Sequence, residues 1–213
     1  MKTIVKKYNV YEFNELKEEI QKELIEKEAE RQAEIFCEWD LLDYMKEEAR
    51  DILTNELGKS NFIDVNILYD LSYCQGSGAM IEFNTYLEYI NHKFKIFTNK
   101  ELEIFKKYGS IIKVYHDNNY YCHENSFSID TLSLNYSIDY ALNNEEITKN
   151  KYNKLEEKIE KFENVFYEFC YSINTELKKY GYSLLEDQEY FEEQAKDYLV
   201  DFEYLEDGTF FNV

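Results

Sequence analysis

The stretch Ile67–Phe83, ILYDLSYCQGSGAMIEF, constrains the fold more than any other part of the chain. Ile67, Tyr69, Leu71 and Tyr73 alternate with Asp70, Ser72 and Cys74, the period of two that marks a half-buried strand. Gly76-Ser77-Gly78 interrupts the pattern, and Ile81 and Phe83 resume it. A two-residue loop would set Leu71 against Glu82 and mix the two faces. A three-residue loop sets Tyr73 against Ile81, Leu71 against Phe83 and Ser72 against Glu82, which keeps both faces consistent. The expectation is a hairpin whose glycines supply positive φ, with Asp70, Ser72, Cys74, Glu82 and Asn84 as a polar stripe on its back.

Charge is unevenly placed. The formal net charge is −20. Between Glu12 and Glu56 there are 16 acids against 6 bases, and between Glu186 and Asp207 there are 10 against 1. The remainder is almost neutral. Direct nucleic-acid binding is disfavoured, because phosphate contacts need clustered Lys and Arg; a basic protein partner is the natural complement. Part of the acidity has a plainer origin in i,i+4 pairs such as Glu18–Lys22 and Glu23–Lys27 on a solvated helix face. No apolar run approaches the ~18 residues of a membrane span, and MKTIVKKYNVYEF has no apolar signal core. The four cysteines form no CxxC pair. A reducing, cytoplasmic setting with free thiols is therefore expected.

In chain order, residues 3–11 read as a short strand, and Asn14 as the cap of a helix through Leu16, Ile20 and Leu24. The apolar stripe thins to Ala29 and Ala33, returns at Phe36 through Leu53, and Gly58 stops it. This predicts one long helix, or two with a bend near Trp39-Asp40. Phe94–Phe97, Ile111–His116 and Phe127–Leu134 read as strands, with a short helix at Asn99–Tyr108. A two-residue turn at Asp117-Asn118 would set Tyr115 against Tyr120 and Ile112 against His123. Leu155, Ile159, Phe162, Phe166, Phe169, Ile173 and Leu177 predict a long helix closed by Gly181. Asp187 caps a shorter helix, and the C-terminus reads as a strand turning at Asp207-Gly208. The expected fold is α+β: a mostly antiparallel sheet of about five to seven strands packed with long N-terminal and C-terminal amphipathic helices. No Ser/Gly-rich linker or repeat divides residues 1–213, so one domain is the simplest organisation.

Few residues suggest chemistry. Cys74 beside Gln75, with His123 elsewhere, invites a cysteine-nucleophile reading. The competing reading is a small residue beside a tight turn, and nothing in the sequence brings His123 to it. In the expected register His116 and His123 lie ~13 Å apart along the ribbon, at ~3.3 Å per residue, too far to share a zinc ion. There is no Walker A loop, HExxH or GxSxG, and QGSG is too short to cradle a phosphate. No catalytic residue, metal or cofactor is assigned.

SYCQGSGAMIEF, NNYYCHENSFSID, YSLLEDQEYFEEQ and DFEYLEDG, in that order, resemble a phage- and prophage-encoded family often labelled an antitoxin of a toxin–antitoxin stability system. The resemblance runs over almost the whole chain and rests on Ser72, Gln75, Gly76, Gly78, Ala79, Phe83, Tyr121, His123, Ser126, Leu185 and Gly208; Ser77 stands where the family usually has Asp. It implies a phage accessory protein in the host cytoplasm and no catalytic residues. Three functional expectations follow. The first is a non-enzymatic inhibitor of a host defence complex, anti-CRISPR or antirestriction-like, that occludes a basic nucleic-acid-binding surface. The second is binding or cleavage of a small nucleotide immune signal at a polar sheet face, with Gln75, Ser77, Tyr121, His123 and Glu124 as candidates. An antitoxin-like partner of one toxin is a third.

Overall fold

The computed structural model describes residues 6–58, 61–74, 76–117 and 122–211. They fall into two compact units: a terminal unit of Met1–Leu41 with Ser183–Val213, and a central unit of Leu42–Tyr182. The chain passes between them at a break in its first long helical stretch and in the last turn of its longest helix.

In the terminal unit, β1 (Tyr11–Glu12) pairs antiparallel with β6 (Glu203–Tyr204). A single 3₁₀ turn at Phe13–Glu15 follows, closed by a reciprocal Glu12–Glu15 capping box. Asn14 is therefore not a cap. Phe13 and Leu16 turn inward onto Leu199 and Tyr204, and helix α1 starts only afterwards, at Glu18–Trp39. Tyr204 is fully buried and its hydroxyl donates to the Leu199 carbonyl at 2.7 Å, so the buried phenol is satisfied. Helix α7 (Gln188–Leu199) packs along α1, with Phe36 edge-on to Phe191 at 5.7 Å. Asp187 caps α7 as expected, accepting from the Tyr190 N–H. Gly208, at φ 84°, turns the end back so that Phe210 bridges to Tyr204.

The central unit opens with α2 (Leu41–Leu57), so the stretch is two helices, divided at Asp40, whose backbone stays in the helical region and whose N–H still donates to the Phe36 carbonyl. Gly58 stops it at φ 95°. A four-stranded antiparallel sheet follows: β2 (Phe62–Asp70), β3 (Gly78–Tyr86), β4 (Ile111–His116) and β5 (Phe127–Asp130), in that spatial order. Among the described residues the main sheet is thus smaller than the five to seven strands expected. Phe94–Phe97 is no strand: Phe94 ends α3 (Leu87–Phe94), and Lys95 stops it in the left-handed conformation. Helix α4 (Asn99–Tyr108) is where it was expected. β5 stops at Asp130, and Leu132–Asn143 form α5 rather than further strand.

Helix α6 (Lys149–Leu185) carries the expected apolar stripe, with Leu155, Phe162, Phe166 and Leu177 fully buried. Gly181 does not close it. The helix runs on to Leu185, and a Cβ at 181 would stand 2.5 Å from Leu71 Cδ1 and 3.0 Å from Met45 Sδ. Glycine is there for close packing. Phe83 of β3 meets Phe166 edge-on at 6.2 Å, which places α6 against the sheet. No described helix is long and apolar enough to cross a membrane.

Both expected hairpin registers are corrected. In β2–β3, Ile81 faces Ile67, Tyr69 faces Ala79 and Asp70 faces Gly78, so the loop spans 71–77 instead of 76–78. In β4–β5, Tyr115 faces Ser128 and His116 faces Phe127, not the partners expected; the expected turn at Asp117-Asn118 reaches into residues 118–121, which lie outside the described residues. His123 consequently does not face Ile112.

Candidate functional site

β3 and β4 pair only from Phe83–Val114 to Tyr86–Ile111 and then part. Each strand's freed backbone group is met by a side chain. The Glu82 carboxylate takes the His116 N–H at 3.0 Å, and the Asn174 carbonyl of α6 takes the Ile81 N–H at 3.0 Å. Asn174 is fully buried, and its amide also donates to the Glu124 carbonyl at 2.9 Å. Both ends of one side-chain amide are thereby spent on backbone that a continuous ladder would have satisfied.

The 122–126 segment is drawn against the start of β3. Cys122 N–H donates to the Gly76 carbonyl at 3.3 Å, and Ser126 N–H turns back to the His123 carbonyl at 2.9 Å. A Cβ on Gly78 would lie 2.2 Å from the Cys122 carbonyl oxygen and 2.9 Å from His123 Cα. Gly78 shows no left-handed φ; the residue is glycine because another backbone lies where a side chain would be. In the same loop the positive φ belongs to Tyr73, at 56°, whose ring packs on Tyr182 with centroids 4.6 Å apart.

Of the five residues expected to line a polar site, Gln75 and Tyr121 lie outside the described residues. Ser77, His123 and Glu124 fall on the two segments that meet. Ser77 is buried, and its hydroxyl accepts the Cys74 N–H at 2.9 Å. The Glu124 carboxylate receives Lys178 Nζ at 2.8 Å. Burial pushes that carboxyl up, but the Lys178 ammonium and the residue's own backbone N–H together bring it below its ordinary range. The structure thus joins two motifs that the sequence separates. The residue that joins them, Asn174, was legible as a lone amide on the apolar face of a long helix, four residues after Cys170 and three before Leu177.

The loop also shapes one thiol. Cys74 is exposed, with Ser72 Oγ at 3.2 Å and Ser77 Oγ at 3.5 Å from its sulfur. The Ser72 hydroxyl also reaches Asp70 Oδ1 at 2.5 Å, and it has one proton for both acceptors. These hydroxyls and the Gly76 N–H hold the Cys74 thiol below the usual range, against the nearby Asp70 charge. Cys122 is pushed up by burial and then by Asp70; Cys170, fully buried, is pushed up strongly. Iodoacetamide near neutral pH should therefore label Cys74 well before Cys122 or Cys170, since the thiolate is the nucleophile. Ser72→Ala and Ser77→Ala remove donors to the charged form and should move the midpoint of Cys74 labelling to higher pH. An unmoved midpoint would mean that the hydroxyls do not hold the thiolate. Among the described residues no group of three His, Cys, Asp or Glu side chains is placed to hold a metal ion.

No family model, no curated protein and no solved structure matches the chain.

Proposed function

We propose that the protein is a non-enzymatic binder of the phage-accessory type, which covers a basic, nucleic-acid-binding surface of a host defence complex. One observation carries this reading. The whole of the second acidic block and most of the first, from Glu12 to Asp40, far apart in sequence, fall in the terminal unit, where α7 packs along α1. That unit has 21 acidic residues against 8 basic ones by sequence, a balance of −13 out of −20. Concentrating charge of one sign raises the local potential and speeds encounter with the opposite sign. The phage-like motifs supply the setting, a host cytoplasm in which a defence complex is the target.

Immobilised protein, challenged with CRISPR effectors and restriction enzymes, should capture one of them. Capture should weaken steeply with added salt, and the target's own nucleic acid should compete for it. Capture of no defence component, or capture indifferent to both salt and nucleic acid, would overturn the reading. The nucleotide-signal reading has less behind it, because the Ser77 hydroxyl and the Glu124 carboxylate already serve partners within the fold.

A further inference from the structure

Where α7 packs along α1, the terminal unit holds a groove of about 540 Å³ that its own side chains do not fill. Its cause is visible in α1. Ala29 and Ala33, one turn apart, interrupt the larger residues Ile25 and Phe36, so the neighbouring elements meet over a trough. Ala33 and Leu185 are the open part of its apolar floor, with the buried Ala29 and Phe191 beneath, and Glu26, Glu30 and Glu192 line the sides. Glu186 adds a fourth carboxylate, and no Lys or Arg lines the groove.

Resting on the reading that this acidity serves a basic partner, we infer that the groove is the docking site itself, and that it takes an amphipathic helix bearing Lys or Arg on either side of an apolar stripe. A short apolar floor between two acidic edges is complementary to such a helix in character and in sign. Acidic or neutral amphipathic segments meet only repulsion or desolvation of the carboxylates. A second, larger groove of about 810 Å³ on the same unit is a poorer candidate. Lys27 and Arg31 line it, with Arg31 forked onto the buried Glu28 carboxylate and lying 4.7 Å over the Tyr198 ring, so two cations already stand in its wall against a basic helix.

The test uses the full chain and two synthetic helical peptides with the same lysines, one with leucines at i, i+3/i+4 and i+7, the other with serines in their place. The leucine peptide should bind at least about tenfold more tightly by fluorescence anisotropy. Ala33→Trp, which fills the trough, should abolish that advantage while leaving the serine peptide's weak binding and the melting temperature unchanged. Should Ala33→Trp melt early, the pair Glu26→Lys and Glu192→Lys replaces it, and should weaken the leucine peptide by about tenfold or more. Equal binding of the two peptides, or an advantage that survives the folded variants, would overturn the groove. The function and the groove fail separately. Capture of a defence complex that Ala33→Trp leaves intact would refute the groove alone. Tight leucine-peptide binding, with no defence component captured, would refute the function alone.

Discussion

Asn174→Leu is expected to destabilise the central unit by about 2–5 kcal/mol, read as a lower denaturation midpoint with an unchanged slope. The side chain is fully buried and of similar size to leucine, so packing changes little. What changes is that the Ile81 N–H and the Glu124 carbonyl lose their partner together. Each buried group left without a partner costs about 1–3 kcal/mol, more than the hydrogen bond contributed when made. The loss should also loosen the 122–126 segment, because Asn174 holds its backbone to α6 and its removal leaves the Lys178–Glu124 ion pair between them. Proteolysis or hydrogen exchange at that segment should rise more than the global loss alone produces. A variant that melts within about 0.5 kcal/mol of the parent would mean that the two groups find other partners, and that the parting of β3 and β4 does not depend on α6.

Gly78→Ala is the second large effect. Its methyl would stand 2.2 Å from a backbone oxygen and 2.9 Å from a Cα, atoms that no rotamer change can move aside. Either the 122–126 segment or the start of β3 must shift, at the ~1–3 kcal/mol typical of overpacking. The separation should also break the Cys122–Gly76 hydrogen bond and expose the Cys122 thiol, raising its alkylation rate. Gly181→Ala makes the contrast. Its nearest contacts, at 2.5 and 3.0 Å, are the ends of Leu71 and Met45, which can rotate, and alanine improves the helix itself by ~1 kcal/mol. It should therefore cost clearly less than Gly78→Ala. If the order is reversed, the two backbones are not in the contact described.

The same comparison shows why some elements are legible and others are not. Leu155 through Leu177 announced α6 because its periodicity repeats over many turns, and Asp187 announced α7 because a cap is a local hydrogen bond. Gly181 misled as a stop: its reason for being glycine lies in Met45 and Leu71, more than a hundred residues away in sequence. The β2–β3 register shows the limit of pattern. Matching apolar faces excludes every odd shift and no even one. Tyr73 opposite Ile81 and Ile67 opposite Ile81 differ by six residues and satisfy the alternation equally well. In the structure β2 ends at Asp70, and beyond it the Ser72 N–H donates to the Asp70 carboxylate and the Cys74 N–H to the Ser77 hydroxyl. The β4–β5 pair repeats the error with a shift of eight. Phe94–Phe97 was too short for its period to tell strand from helix end.

For the candidate surface, the sequence alone determined the amount and sign of the charge, the two blocks that carry it, and the thinning of the α1 stripe at Ala29 and Ala33. These follow from residue type and from neighbours within a turn or two. Only the tertiary structure decided that the second block and most of the first share one unit, that the thinned stripe lies where α7 packs on α1, and that Asn174 bonds to both motifs. Each depends on which distant apolar face buries against which: the first two on the summed burial of Phe13, Leu16, Phe36, Phe191 and Leu199, the third on that of α6 against the sheet through Phe83 and Phe166, rather than on any local preference.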